Sequence, residues 1–523
     1  MFANRSSLAA FWAGCAAVVL GVIIHLPMFA LLAGLVHPSA ASMADMAGMA
    51  MPATAKPPPP LMAPADPMML LGMSLIIGGT ALACYGLFPK RGAALTAGST
   101  LAGPPELPER IGRSQWLLMG VLTVALVIDT MKPATLGFVL PGMRAEYGLS
   151  RAQVAWFPFL ALTGTVVGSL VWGWICDFYG RRAAILLATI GFIGTSICGA
   201  MPSFGWNLVM CFLMGASAGG MLPVAYALLT ETLPARSRGW ALVLVGGLGA
   251  AGGYVAASTA AALLEPSFTW RALWLLGLPT GTILILLNRY IPESPDFMHS
   301  ASRGAAAHME RPPATRPTLA MILLLAALTL VGLAWGLVNF GLLLWLPSEL
   351  IARGQDVKAM SGLLSKSALL AAPLVLAVAF GYARWSGKWT LIAAIGVMVA
   401  GLCGLLALDV PRLGALIGPY PGVVLLVIGV NGVIATILPY AAEQTPAAIR
   451  GRATGWVAGS SKAGGLLAQL LGMASISPGL TTAAVFTALL LVLSALLLSL
   501  NDRPAARAAR LAALAAATPR SAP

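Results

Sequence analysis

The sequence predicts an all-α polytopic membrane protein with fourteen spans, in which a helix pair precedes a twelve-helix core. Hydrophobic residues make up 59% of its 523 residues and charged residues only 9%, whereas about a quarter of a soluble protein is charged. Apolar runs of about 18 residues or more recur along the chain, and only helices satisfy their own backbone groups in lipid. The fold class therefore follows from composition and from the length of these runs.

The arginines and lysines orient the predicted spans. Most of the 31 cationic residues fall in alternate connections, which is the positive-inside pattern of cytoplasmic loops. This asymmetry explains the formal charge of +14 without a nucleic-acid partner. It predicts a bacterial-type inner (cytoplasmic) membrane protein with both termini in the cytoplasm.

The predicted spans divide into a pair and two sets of six. The pair covers about 11–36 and 68–88, and the core spans begin near residues 115, 153, 183, 205, 240, 270, 319, 359, 389, 419, 453 and 479. We expect five regions: an N-terminal pair with a Met-rich non-cytoplasmic loop (1–110), an N-terminal half (111–290), a cytoplasmic linker (291–318), a C-terminal half (319–500) and a cytoplasmic tail (501–523).

An internal repeat supports this division of the core. Glu231, Pro234 and Arg238-Gly239 recur with identical spacing 212 residues later, as Glu443, Pro446 and Arg450-Gly451. Two repeated halves with a substrate site between them at the bilayer midplane are typical of secondary transporters.

A short charged connection follows the second core span. Gly173 permits close helix packing, and Gly180 suits a tight reversal because glycine tolerates positive φ. Asp177 can cap a helix, and Arg181 and Arg182 hold the loop on the cytoplasmic side. A simpler interpretation is an ordinary positively charged loop.

The segment from Gly173 to Arg182 resembles the signature loop of the major facilitator superfamily. Arg271-Ala-Leu-Trp and the segment Ile291–Pro295 resemble motifs of its sugar-porter-like and organic-acid:proton symporter branches. The resemblance implies a symporter core of six plus six helices that works by alternating access. It also implies a gate of paired charges between the halves, for which the candidates are Gly173, Asp177, Gly180, Arg181, Arg182, Glu231, Arg238, Glu443 and Arg450.

Asp129 is the sharpest candidate for function, because it lies near the middle of the first core span. A charged residue at helix centre costs about 2.5–3.5 kcal/mol and usually lines a pathway or has a partner. Lys132 follows three residues later, on the same predicted face. We expect a protonation or substrate site with Lys132 as partner or anion ligand; an ion pair that locks two helices is the alternative.

Further polar residues lie in other predicted spans. Lys462 is deep in its span, and Lys366 is shallower, so that it could reach the membrane surface instead. Together with Lys132 they would attract an anion. Candidates for pocket lining, each equally compatible with helix packing, are Trp335, Asn339, Asn431 and Gln469.

The leading pair carries methionine and histidine. Thioether and imidazole ligands suit copper, particularly Cu(I), so a copper site is possible at His25, Met28, His37, Met43, Met46, Met49 and Met51. The alternative is a low-complexity linker in which methionine is apolar filler. No other cofactor is predicted.

These observations predict a multi-pass transporter rather than an enzyme, since no nucleophile, phosphate loop or metalloprotease spacing is present. We expect a monomer that moves a small organic solute, an organic anion, with protons as the coupling ion. The alternatives are proton-driven efflux of lipophilic cations and a copper-linked, metal-binding protein built on a transporter core.

Overall fold

The computed structural model describes residues 5–32, 66–87, 110–234, 237–294, 319–352, 357–410, 412, 416, 418–445, 450–474 and 479–500. These residues form helices and connections, with no β-strand among them. The predicted Met-rich loop, most of the predicted linker and the predicted tail lie outside the described residues. The domain boundaries therefore stay predictions.

The N-terminal pair consists of α1 (Arg5–Ile24), α2 (Leu26–Leu32) and α3 (Pro67–Leu87). Helices α1 and α3 pack at close range because glycines face each other. A Cβ added at Gly79 would lie 2.7 Å from the Gly14 carbonyl oxygen. Small residues at a helix crossing favour such packing in membranes.

The next helices form the first half of the core. They are α4 (Arg113–Tyr147), α5 (Trp156–Tyr179), α6 (Arg181–Gly194), α7 (Phe204–Ala218), α8 (Met221–Thr232), α9 (Arg238–Phe268), α10 (Ala272–Leu275) and α11 (Gly277–Leu286). A one-turn helix (Arg151–Val154) precedes α5, and 3-10 turns follow α6 (Thr195–Ala200) and α11 (Leu287–Tyr290).

The second half begins with α12 (Leu319–Gly336), which runs through a π-helical segment (Leu337–Leu342) into α13 (Leu343–Ala352). It continues with α14 (Val357–Arg384), α15 (Gly387–Leu406), α16 (Tyr420–Gln444), α17 (Arg450–Met473) and α18 (Leu480–Leu500), and a 3-10 turn (Ala407–Asp409) follows α15. Helix α9 packs along α4 as α17 packs along α12, so the two halves repeat one arrangement.

Thirteen helical segments among the described residues are long and apolar enough to cross a membrane. The one predicted span that is not among these thirteen segments corresponds to α17, a helix of 24 residues. It falls short of that apolar criterion because glycine, serine, arginine and lysine occupy many of its positions. Helix α17 nevertheless packs between α12 and α5, as a core helix does.

The leading pair covers α6. Helices α1 and α3 both pack on α6, and α2 packs on the 3-10 turn after it. In an 18-residue apolar window of the span Arg181–Ala200, which contains α6, 94% of the residues are buried, whereas the share is 39% in the span Gly387–Asp409, which contains its counterpart α15. The pair is thus an integral part of the first half.

Candidate functional site

The two halves meet at both ends of the bundle. At the end that carries Gly180, α9 packs against α14 and α16. At the opposite end α5 packs against α17, where a Cβ at Gly472 would touch the Ala155 side chain at 3.4 Å. The candidate site lies between these two contacts.

Asp129 lies near the middle of α4 and is partly exposed. Its charge interacts with that of Lys462, which α17 contributes from the other half. The described side chains form no ion pair of 4.0 Å or less with either residue. The two opposite charges therefore face each other across the interface between the halves without closing on each other.

Lys462 combines a charge with an aromatic neighbour. Its Nζ lies 5.2 Å from the centre of the Phe340 ring, which is within the range of a cation–π interaction. The adjacent Gly465 makes room, because a Cβ there would lie 2.7 Å from the Phe340 ring. At the offset of the sequence repeat, Ala250 occupies the position of Lys462, so this cation belongs to one half only.

Lys132 points away from this interface. It is 1% exposed, and its Nζ donates to the Phe192 carbonyl at 2.8 Å and to the Thr195 hydroxyl at 2.7 Å. Both acceptors lie at the C-terminal end of α6, where the helix favours a cation. The structure therefore contradicts the predicted role of Lys132 as partner of Asp129 or as anion ligand beside Lys462.

The predicted lining residues differ in their positions. Asn339 in the π-helical segment accepts a hydrogen bond from the Tyr254 hydroxyl of the other half at 2.8 Å. Trp335 donates to the Val430 carbonyl at 2.9 Å and packs edge-on against Phe340 with the ring centres 5.6 Å apart. Single π-helical turns often mark functional positions.

Gln469 and Asn431 serve local packing. The Gln469 amide donates to the Phe340 carbonyl and so supports the ring beneath Lys462. Asn431 is 3% exposed and donates to the Val427 carbonyl of its own helix at 2.8 Å, so the structure does not place it as a lining residue. Lys366 is exposed near the start of its span and is not part of the charge interaction of Asp129.

The predicted gate charges pair within the first half. Arg181 forms a two-pronged contact with Glu231, at 2.8 and 3.0 Å, and Arg182 donates to the Asn288 side chain at 2.7 Å. Arg238 donates to the Leu233 carbonyl at 3.0 Å. These contacts lie within the first half, and the pairing of gate charges across the halves stays a prediction.

Glu443 does lie at the boundary between the halves. It accepts a hydrogen bond from the Tyr382 hydroxyl at 2.8 Å, and a Cβ at Gly239 of the first half would collide with its carboxylate. Gly173 has open space around it, so the expected close helix packing at this glycine is wrong. The side chains of Asp177 and Arg450 lie outside the described residues.

Sequence reasoning missed the role of Glu293. Its carboxylate accepts hydrogen bonds from the backbone N–H groups of Arg181, at 2.7 Å, and Ser294, at 3.0 Å. It thus occupies the start of α6, where a helix favours negative charge. Gly180, the residue before α6, has φ of 98°. A Cβ at this glycine would lie 2.7 Å from the Glu293 carboxyl carbon.

The opposite end of the first half has its own ion pair. Arg271 is 1% exposed and forms an ion pair with Glu146 in the last turn of α4. The Trp270 indole donates to the same carboxylate at 2.9 Å. The Arg271 motif noted in the sequence therefore ties α10 to the end of α4.

Of the possible copper ligands, only His25 and Met28 are described. His25 is buried in the leading pair, with Nδ1 2.7 Å from the Gly21 carbonyl, and Met28 packs near Phe29 and Ala200. The described residues contain no group of three or more His, Cys, Asp or Glu side chains that could hold a metal. His37, Met43, Met46, Met49 and Met51 lie outside the described residues, so copper binding stays a prediction.

Known proteins resemble this chain over most of its length. The family model of the Major Facilitator Superfamily matches residues 122–468. The chain is 27% identical to the putative niacin/nicotinamide transporter NiaP of Bacillus subtilis, over 68% of this chain and 88% of that protein. It is also 27% identical to a gallate transporter of Pseudomonas putida, over 72% of this chain and 89% of that protein.

A solved structure agrees with the fold. The crystal structure of a D-xylose-proton symporter superposes with a TM-score of 0.59 at 14% identity, over 74% of this chain and 98% of that one. At this level of identity the likeness speaks for the fold alone. Together with the family match, it identifies a multi-pass transporter rather than an enzyme, and the chain belongs to the Major Facilitator Superfamily.

Proposed function

We propose that this protein is a secondary active transporter of small organic anions, most specifically aromatic monocarboxylates, coupled to protons. The observation that carries the proposal is the placement of Lys462, a partly exposed cation over the face of Phe340. The cation suits a carboxylate, and the rings of Phe340 and Trp335 offer edges and faces to an aromatic solute. The relatives' printed substrates, niacin and gallate, fit the same description.

Asp129 supplies the coupling in this proposal. It shares the field of Lys462 with the incoming carboxylate, and the two anions compete for one cation. Protonation of Asp129 removes one negative charge and leaves Lys462 to the substrate. Because the two residues belong to different halves, substrate and proton binding bias the relative position of the halves, as alternating access requires.

The proposal includes an orientation. The end of the bundle with Arg181, Arg182 and Arg238 faces the cytoplasm, because positive charge is retained there. Both termini then lie in the cytoplasm, and the protein works as a monomer in a bacterial-type inner membrane.

The test is uptake into proteoliposomes that contain the purified protein. Radiolabelled benzoate-type acids, aliphatic acids, D-xylose and lipophilic cations are compared with and without an imposed pH gradient. We expect uptake of aromatic acids that an inward proton gradient stimulates and that Asp129→Asn uncouples from the gradient. Uptake of cations alone would favour the alternative of cation efflux, with Asp129 as the cation ligand, and would overturn the proposal.

A further inference from the structure

A narrow gap inside the first half opens beside Asp129. Helices α6 and α7 contribute one hydroxyl each to its wall, from Thr189 and Ser217. The remaining wall is apolar and consists of Ile128, Ala188, Phe192, Met221 and Leu284. The gap has no room for a water molecule, and Thr189 and Ser217 are the polar side chains that line it with Asp129.

Both hydroxyls already donate their protons. Thr189 Oγ1 donates to the Ile185 carbonyl at 2.7 Å, and Ser217 Oγ donates to the Leu213 carbonyl at 2.9 Å. A hydroxyl has one proton and two lone pairs. With the proton engaged in the helix backbone, each oxygen has only acceptor capacity left for a further partner.

A gap that offers acceptors distinguishes the two forms of a carboxyl group. The protonated form has an O–H to donate, whereas the ionised form only accepts and is repelled by lone pairs. Across the interface Lys462 has the opposite preference, since a cation favours the ionised form. Asp129 thus lies between two different surroundings. The gap suits its protonated form, and Lys462 suits its ionised form.

We propose that Thr189 and Ser217 are positioning residues that stabilise protonated Asp129 against the first half. This inference rests on the proposed function, in which Asp129 is the coupling acid. Protonation would then let Asp129, which already lines the gap, donate its O–H to one of these oxygens instead of interacting with Lys462. The release of Lys462 to the substrate and the uptake of the proton are then one event.

The other charged or titratable groups do not replace these contacts. Lys462 is the described group whose charge acts on Asp129. Lys132 is held by Phe192 and Thr195 on the far side, and Tyr254 is bonded to Asn339. The remaining titratable side chains that the structure describes on segments packed against α4 are Tyr226, Cys198 and Cys211, with Arg181, Arg182, Glu231, Arg238, Arg271, Arg289, Tyr290 and Glu349 near helix ends.

The test is an infrared titration of the reconstituted protein. The carboxyl C=O band of Asp129 is identified by its loss in Asp129→Asn, and its midpoint is measured in Thr189→Val and Ser217→Ala. Removal of one neutral acceptor should lower proton affinity three- to tenfold, which moves the midpoint about 0.5–1 unit to lower pH. Thr189→Ser, which keeps the hydroxyl, should restore the original midpoint.

Thr282→Val is the matched control. Thr282 makes the same backbone contact, to the Leu278 carbonyl at 2.7 Å, but does not line the gap, so its loss should leave the midpoint unchanged. An unchanged midpoint in both gap variants overturns the inference. So does a shift to higher pH, since it means that the hydroxyls donate to the carboxylate. A shift as expected without proton-driven uptake would overturn the proposed function and leave the inference standing.

Discussion

Lys462→Gln is the substitution that tests the proposed substrate site most directly. Glutamine keeps most of the length and can still donate a hydrogen bond, but it has no charge. The structure gives Lys462 no close ion pair among the described side chains, so in the proposed site its ammonium donates to a solute carboxylate. Its loss should therefore affect anion binding more than folding.

The magnitude follows from the chemistry of that contact. A hydrogen bond to a charged group contributes about 1.5–3 kcal/mol, which corresponds to about a 10- to 150-fold rise in the dissociation constant. The substitution also leaves Asp129 without its cation, which adds repulsion toward an anion at neutral pH. We therefore expect the effect at the upper end of this range, and a smaller effect at low pH.

Binding of a radiolabelled aromatic carboxylate to detergent-purified protein measures this change. Lys366→Gln is the matched control, because it removes the same charge from an exposed position outside the Asp129 interaction. Lys462→Arg should retain part of the affinity. If Lys462→Gln binds the acid as the unmodified protein does, within about twofold, the assignment of Lys462 as anion ligand is refuted.

Two further predictions concern stability and are read as melting temperatures in detergent. Gly180→Ala should lower the free energy of unfolding by about 1–3 kcal/mol, because the glycine has φ of 98° and an added Cβ would crowd the Glu293 carboxylate. Gly173→Ala is the control and should change the free energy of unfolding little, because an added Cβ there meets open space. Gly79→Leu should separate the leading pair and destabilise the protein, whereas the neighbouring Gly78→Leu, with nothing within 4 Å, should not. Equal effects within either pair would contradict the packing described above.

Some of this site could be predicted from the sequence. Asp129 and Lys462 stand out because ionisable residues are rare inside apolar spans, and the repeat of Glu231 and Glu443 indicates two related halves. The sequence also extends this repeat around Ala250 and Lys462, a signal that would have separated Lys462 from the other lysines.

Other positions could not be assigned in this way. A three-residue spacing on one helix suggested that Lys132 faces Asp129, but that spacing says nothing about neighbouring helices. Two acceptors lie near the end of α6, the Phe192 carbonyl and the Thr195 hydroxyl. The flexible Lys132 side chain extends toward them and donates to both. Tyr254, Phe340 and Glu293 carry no local signal, since their partners are 85 or more residues away or come from backbone groups.

Composition and the length of the apolar runs determine that this chain crosses a membrane many times, because lipid permits few ways of satisfying a backbone. The repeated motif at Glu231 and Glu443 indicates that its core is duplicated. Tertiary structure decides which charges meet. The charge interaction of Asp129 with Lys462, the inward direction of Lys132 and the hydroxyl-lined gap depend on how separate helices rotate and pack, and packing is a property of the whole bundle.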